Sequence, residues 1–211
     1  MVDRLAALMN NGNQLKHGHI QMSAAILLGL LLLSPPARAG RPDIGTILAA
    51  ARAQMGVTVH YDPSYRSIAY PGGDVPIDRG VCTDVIIRAY RAAGVDLQRL
   101  VHDDMLAAFD AYPALWGLSR PDSNIDHRRV PNLVTFFARK GVVLPVSAEA
   151  SAYSAGDIVT WRLSSGVPHI GLVSESVDNG RPLILHNIGA GVQLEAMLFS
   201  HAITGHFRYD P

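Results

Sequence analysis

The chain contains one cysteine, Cys82, in the stretch "GVCTDVIIRAYRAAG" between Gly80 and Gly94. A lone thiol can be a small core residue, a metal ligand or a nucleophile. Cys82, Val85, Ile86, Ala89 and Ala93 recur at helical spacing and define one buried stripe. Free cysteine is among the most buried residue types, so a core role fits that stripe. Position along the axis adds a second property. In the first turn of a helix, unpaired N–H groups and the macrodipole favour an anion, and a thiol there can fall from about 8.5 into a range of roughly 3.5–7.5. Asp84 suits the same first turn, but its charge opposes a thiolate if it points inward.

A thiolate needs a base, and the base needs an orienting group. His169 opens the apolar run "HIGLVSES", and His186 ends "PLILHN". Neighbouring strands lie about 4.8 Å apart, so histidines on adjacent strands can touch. Alternation places His186 on the face opposite Leu185 and Asn187, and a one-residue slip would exchange His186 for Asn187 as the orienting residue. Cys82, His169 and His186 also form a donor set suited to zinc, although no two of them have the close spacing of familiar zinc motifs. The loop "NIDHRRVPN" offers Arg128 and Arg129 as bidentate holders of a substrate carboxylate, with Asp126 and His127 beside them. The same residues could instead pair locally ahead of a helix. Tyr112 and Trp116 read as packing aromatics.

The elements that must carry these side chains fall into two halves. "IGTILAAARAQM" (44–55) predicts a helix stopped by Gly56, and a short strand is expected over 57–61. The turn-rich "YDPSYRSIAYPGGDVPIDRG" predicts an ordered loop leading to a helix over 81–93, then a helix over 97–109. After the long segment 112–132, Pro131 opens a helix ending at Gly141. Five short β-rich runs follow: "DIVTWRL", "HIGLVSES", "PLILHNI", "GVQLEAM" and "AITGHFRY". Helices first and strands afterwards predict an α+β domain with an antiparallel sheet.

The chain has 211 residues, 48% hydrophobic and 17% charged, with no formal net charge. That suits one domain with a sizeable core and gives no basic field for nucleic acid. The N-terminus differs in character. The apolar run "AAILLGLLLL" precedes Ser34-Pro35-Pro36 and the small-x-small site Ala37-Arg38-Ala39. This reads as a secretory signal over 1–39, with an uncertain start site, ahead of one catalytic domain over 40–211. The run is shorter than a membrane span, so no stable anchor is expected after cleavage, and the mature protein would be periplasmic or secreted.

"GVCTDVIIRAYRAAGV", "AGDIVTWRL", "PHIGLVSE" and "LILHNIGAGVQLE" together resemble the NlpC/P60 cell-wall peptidases of the papain-like superfamily. From about Ala51 to Tyr209 the chain more closely resembles the bacterial domain of unknown function 1287, through "YPGGDVPIDRGVCTDVIIRAYR", "RPDSNIDHRRVPNL" and "HNIGAGVQLE". The first resemblance implies a papain-like fold, with the cysteine at a helix start packed on a C-terminal antiparallel sheet, and catalysis without a cofactor. Cys82 would be the nucleophile, His169 the base and His186 its orienter, acting on a peptide amide of the cell wall. Tyr70 matches the family's Tyr-x-Gly-Gly and would line the site. The candidate substrate contacts are therefore Tyr70, Asp84, Asp126, His127, Arg128, Arg129 and Asn187. Val81-Cys82-Thr83-Asp84 departs from the family's Asp-Cys-Ser-Gly. A zinc hydrolase and a non-catalytic module that grips cell-wall peptides are the alternatives.

Overall fold

The computed structural model describes residues 43–210, so the expected signal segment lies outside the described residues. Asp43 caps the first helix, α1 (Ile44–Arg52), by accepting the N–H groups of Gly45 and Thr46. The helix ends three residues before the expected Met55. Gln54 has turned inward there, and its amide donates to the carbonyl of Val85 at 3.0 Å. A two-residue strand, β1 (His60–Tyr61), pairs in parallel with β2 (Arg79–Gly80), with Tyr61 opposite Gly80.

β2 leads directly into α2 (Cys82–Ala92). The expected stripe Cys82, Val85, Ile86 and Ala89 is buried, but Thr83, Asp84, Ile87, Arg88 and Tyr90 are buried as well. The loop between β1 and β2 covers the helix's polar side. Arg88 holds that loop through Asp74 at 2.9 and 3.1 Å and through the carbonyls of Val75, Pro76 and Arg79. A guanidinium with several donors can satisfy many loop carbonyls at once, which keeps irregular backbone ordered without a strand partner.

α3 (Leu97–Ala107) is capped by Asp96, and α4 (Val130–Lys140) begins with Pro131 in its first turn, where a missing N–H costs nothing. Arg139 and Lys140 reach Asp104 at 2.7 and 2.8 Å and tie α4 to α3. After β3 (Val142–Val143) come β4 (Ile158–Arg162), β5 (Pro168–Asp178), β6 (Arg181–Asn187), β7 (Val192–Glu195) and β8 (Ala202–Arg208). They form a six-stranded antiparallel sheet in the order β3-β8-β4-β5-β6-β7. The fold is α+β, with all five β-rich runs of the C-terminal half in one sheet.

Alternation gives the sheet two apolar faces. Ile158, Ile170, Leu172, Leu185 and Phe207 join α1, α2 and α4 in the main core, with Phe136 and Phe137 of α4 at its centre. Val159, Trp161, Val173 and Ile184 point the other way and are covered by Tyr153, Met197 and Leu198. Each such side chain contributes about 1.5–3 kcal/mol on burial, so both faces hold the strands in register. Among the described residues no helix is long and apolar enough to cross a membrane.

Candidate active site

Cys82 is the first residue of α2 and one wall of a cleft of about 370 Å³. Two contacts fix the approach to it. The side-chain amide of Asn187, at the end of β6, donates to the carbonyl of Gly80 at 3.1 Å. Asp84 Oδ2 accepts the backbone N–H of Val81 at 2.6 Å, a cap for the helix whose own N-cap residue has no polar side chain. The backbone N–H groups of Ile170, Thr83 and Cys82 itself are directed toward the thiol. Those donors favour the anion. Burial outweighs them, and with the Asp84 charge it pushes the thiol up to about 12. The lowered value expected from the helix dipole is therefore not what the folded site produces. Dipole and N–H groups act on a thiol with little water around it, and desolvation is the larger effect.

Ile170 follows His169, so the start of β5 lies against the thiol. The imidazoles are on the sheet face away from Ile170, Leu172 and Leu185. His169 Nε2 is 3.0 Å from His186 Nδ1, and His186 Nε2 is 2.9 Å from Glu195 Oε2. Three adjacent strands thus each supply one group, β5, β6 and β7 in turn. The steps are diagonal. Leu172 pairs with Leu185, which continues to Gly171 opposite His186, and Ile184 pairs with Glu195. Gly171 makes the first step feasible. A Cβ there would meet Ile184 Cγ2 at 2.6 Å and His186 Cβ at 3.2 Å, so only glycine leaves His186 room beside His169. His169 is held down to about 3, first by desolvation and then by the neighbouring His186 and His201. His186 is also lowered by burial, against the pull of Glu195. No hydrogen bond joins the thiol to an imidazole among the described residues. Catalytic hydrogen bonds are commonly long in resting sites and tighten only with substrate.

His169 and His186 are thus brought together, with His186 rather than Asn187 on His169, and Cys82 adjoins them through the backbone of Ile170. Asn187 faces the other way, pins Gly80, and accepts the N–H of Gly189 at 3.1 Å. Several candidate substrate contacts have other work. Asp84 is buried against Arg128 in a bidentate pair at 2.8 and 2.9 Å. Arg128 spends its remaining donors on the carbonyls of Ser64 and Asp62, so although it borders the cleft its charge is already matched. Asp126 is buried, accepts the N–H of Asp122, and pairs with Arg129 at 3.0 Å. Burial raises its carboxyl. His127 is buried away from the cleft lining and is pushed down to about 3 by desolvation, then by Arg128 and Arg91. Tyr70 does not line the cleft. Its hydroxyl donates to Asp103 at 3.2 Å and its ring meets His102 edge-on, so it belongs to α3.

Arg129 is the expected contact that stays at the cleft with surface to offer. Its guanidinium carbon sits 4.0 Å from the Trp116 ring centroid, a cation–π stack. Trp116 is about half exposed, carries φ 67°, and lines the cleft instead of packing in the core as the sequence suggested. Tyr112 does pack, with its hydroxyl on Asp104 at 2.8 Å. Two cleft tyrosines and the carboxylate on His186 went unread in the sequence. Tyr61 and Tyr65 line the cleft, and burial with the charges of Cys82 and Asp84 pushes Tyr61 up to about 12. Tyr61 was traceable in principle, as the last residue of a strand beside Gly80. Glu195 was traceable too, by continuing the hairpin register from His186.

Among the described residues no group of three or more His, Cys, Asp or Glu side chains is arranged to hold a metal ion. In the alternative zinc set, His169 Nε2 and His186 Nδ1 are aimed at each other and share one hydrogen bond, so those two nitrogens do not converge on a common ion.

A family model described as "Domain of unknown function (DUF1287)" matches residues 48–209. The Escherichia coli (strain K12) protein described as "Uncharacterized protein YijF" is 57% identical over 164 residues, covering 77% of this chain and 80% of that protein. The match spans α2 through β8 and therefore Cys82, both histidines and Glu195, and the chain belongs to the domain of unknown function 1287 family.

Proposed function

We propose that this chain is an exported thiol hydrolase of papain-like, NlpC/P60 type that cleaves a peptide amide, with peptidoglycan peptides as substrate. The observation that carries the reading is a thiol at the first residue of a helix, on a cleft wall, against the start of β5, whose His169 meets His186 of β6. As sulfur attacks the amide carbonyl, the thiol proton passes to His169 Nδ1, the ring nitrogen not bonded to His186. The N–H of Cys82 donates to the developing oxyanion. Collapse of the tetrahedral intermediate breaks the C–N bond, and His169 returns the proton to the leaving amine. Water then attacks the thioester while His169 takes its proton, and a carboxylate and the free thiol result. His186 holds the His169 ring throughout. The substrate class rests on the family resemblance and on the signal-like N-terminus.

A second reading, a peptide-gripping module with an inert thiol, draws on the neutral, buried state of Cys82. One experiment separates them. Isolated peptidoglycan peptides are incubated with purified wild type and Cys82→Ala, and fragments are read by mass spectrometry. Amide cleavage by the wild type, with at least about a thousandfold loss in the variant, is expected for a missing nucleophile. Equal cleavage by both, or binding without cleavage by both, overturns the hydrolase reading.

A further inference from the structure

We propose that Glu195 is a positioning residue that fixes the tautomers of both imidazoles and so leaves His169 Nδ1 free to act as a base. The inference rests on the proposed roles of Cys82 and His169, but the tautomer assignment stands apart from them, on the hydrogen-bond geometry and the burial of both rings. A carboxylate only accepts hydrogen bonds, so the 2.9 Å contact requires the proton on His186 Nε2. A neutral imidazole carries one N–H, which makes His186 Nδ1 an acceptor. The 3.0 Å contact then requires His169 Nε2 to donate, and His169 Nδ1 is left with its lone pair.

Burial supports a neutral state for both rings: two charged rings would leave the His–His contact with no acceptor, and a charged His186 alone would donate to His169 Nε2 and reverse the order. His186 is wholly buried, whereas the Glu195 side chain is half exposed at the end of β7, the outer strand of the sheet. The proton order of the interior is therefore set from a site that solvent can reach. His201 is the other titratable group that acts on both rings, and Cys82 lies beside the residue after His169.

The test is long-range proton–nitrogen NMR on the purified protein labelled with ¹⁵N-histidine at neutral pH. In the wild type, His169 Nδ1 and His186 Nδ1 should give pyridine-type shifts, and both Nε2 atoms pyrrole-type shifts. In Glu195→Ala and Glu195→Gln these should move toward averaged or exchanged values, and Glu195→Asp should restore them in part. His206, bonded to Asp157 far along the sheet from β7, should keep its shifts in every variant and reports an intact fold. Cys82 alkylation should slow about tenfold in Glu195→Gln, as expected for a lost charged hydrogen bond. A pyrrole-type His169 Nδ1 in the wild type overturns the inference. So do imidazole shifts unmoved by Glu195→Ala and Glu195→Gln. If the tautomers follow Glu195 but Cys82 stays inert in every form, the hydrolase reading has failed and the tautomer assignment has not.

Discussion

Burial holds Cys82 and His169 uncharged, one pushed up to about 12 and the other down to about 3. A resting thiolate–imidazolium pair would place two ions in a region with little water, where each costs several kcal/mol unless well paired. Proton transfer in step with attack avoids that state. It asks His169 Nδ1 to be a ready acceptor, which is the condition that the His186–Glu195 relay supplies. At this scale the sequence revealed residue types better than directions. Cys82, His169 and His186 were singled out by type and by family resemblance, and the two imidazoles do meet. The choice between His186 and Asn187 depended on a one-residue register that only the paired strands define. Tyr70 and Arg128 were drawn toward the site by motif position, but an Asp103 hydroxyl acceptor and a buried Asp84 carboxylate hold them.

The helix that presents the thiol is fixed at its N-terminus by the buried Asp84–Arg128 pair. Asp84 caps Val81 and neutralises Arg128, while Arg128 holds the loop after β1 through two carbonyls. Removing one partner of such a pair leaves a buried charge unmatched, at a cost of roughly 3–5 kcal/mol. Asp84→Asn should therefore destabilise the protein by about 3 kcal/mol in urea denaturation. A change within about 0.5 kcal/mol, as for surface substitutions, would mean that the pair does not anchor α2. Element type was largely legible. The cysteine helix and five β runs carry clear periodicity, and their observed bounds differ from the expected ones by only a few residues. What made the loop before α2 ordered was not legible. Arg88 reaches Asp74 and Arg128 reaches Asp84 across long stretches of chain, and no local pattern encodes such pairs.

For the whole molecule, buried histidines link stability to pH. His127 and His169 both fall to about 3 on folding, from an ordinary value of about 6.5. Below that value the unfolded chain binds protons that the native chain resists, so stability must fall as pH falls. The slope is up to about 1.4 kcal/mol per pH unit for each histidine between about pH 6.5 and 3. The Asp104 carboxyl, held well below the usual range by Arg139, adds to the loss only below about pH 4. Melting temperatures should therefore decline steadily from pH 7 to pH 4, and a flat or rising series would contradict the buried neutral histidines. The α+β layout was legible because the helix-rich and strand-rich halves follow one another. The cleft was less so, since Tyr61, Trp116 and Cys82 meet only after three separate segments fold together.

The central claim is that His169 activates Cys82, and iodoacetamide labelling of the folded protein tests it most directly. Rates at pH 7 are compared for wild type and His169→Ala, with the labelled residue identified by mass spectrometry. The account predicts that Cys82 is modified in the folded wild type and that the variant is slower by about a hundredfold, the scale of a lost general base. Equal rates, or a thiol that stays unreactive in both until the chain unfolds, would contradict it.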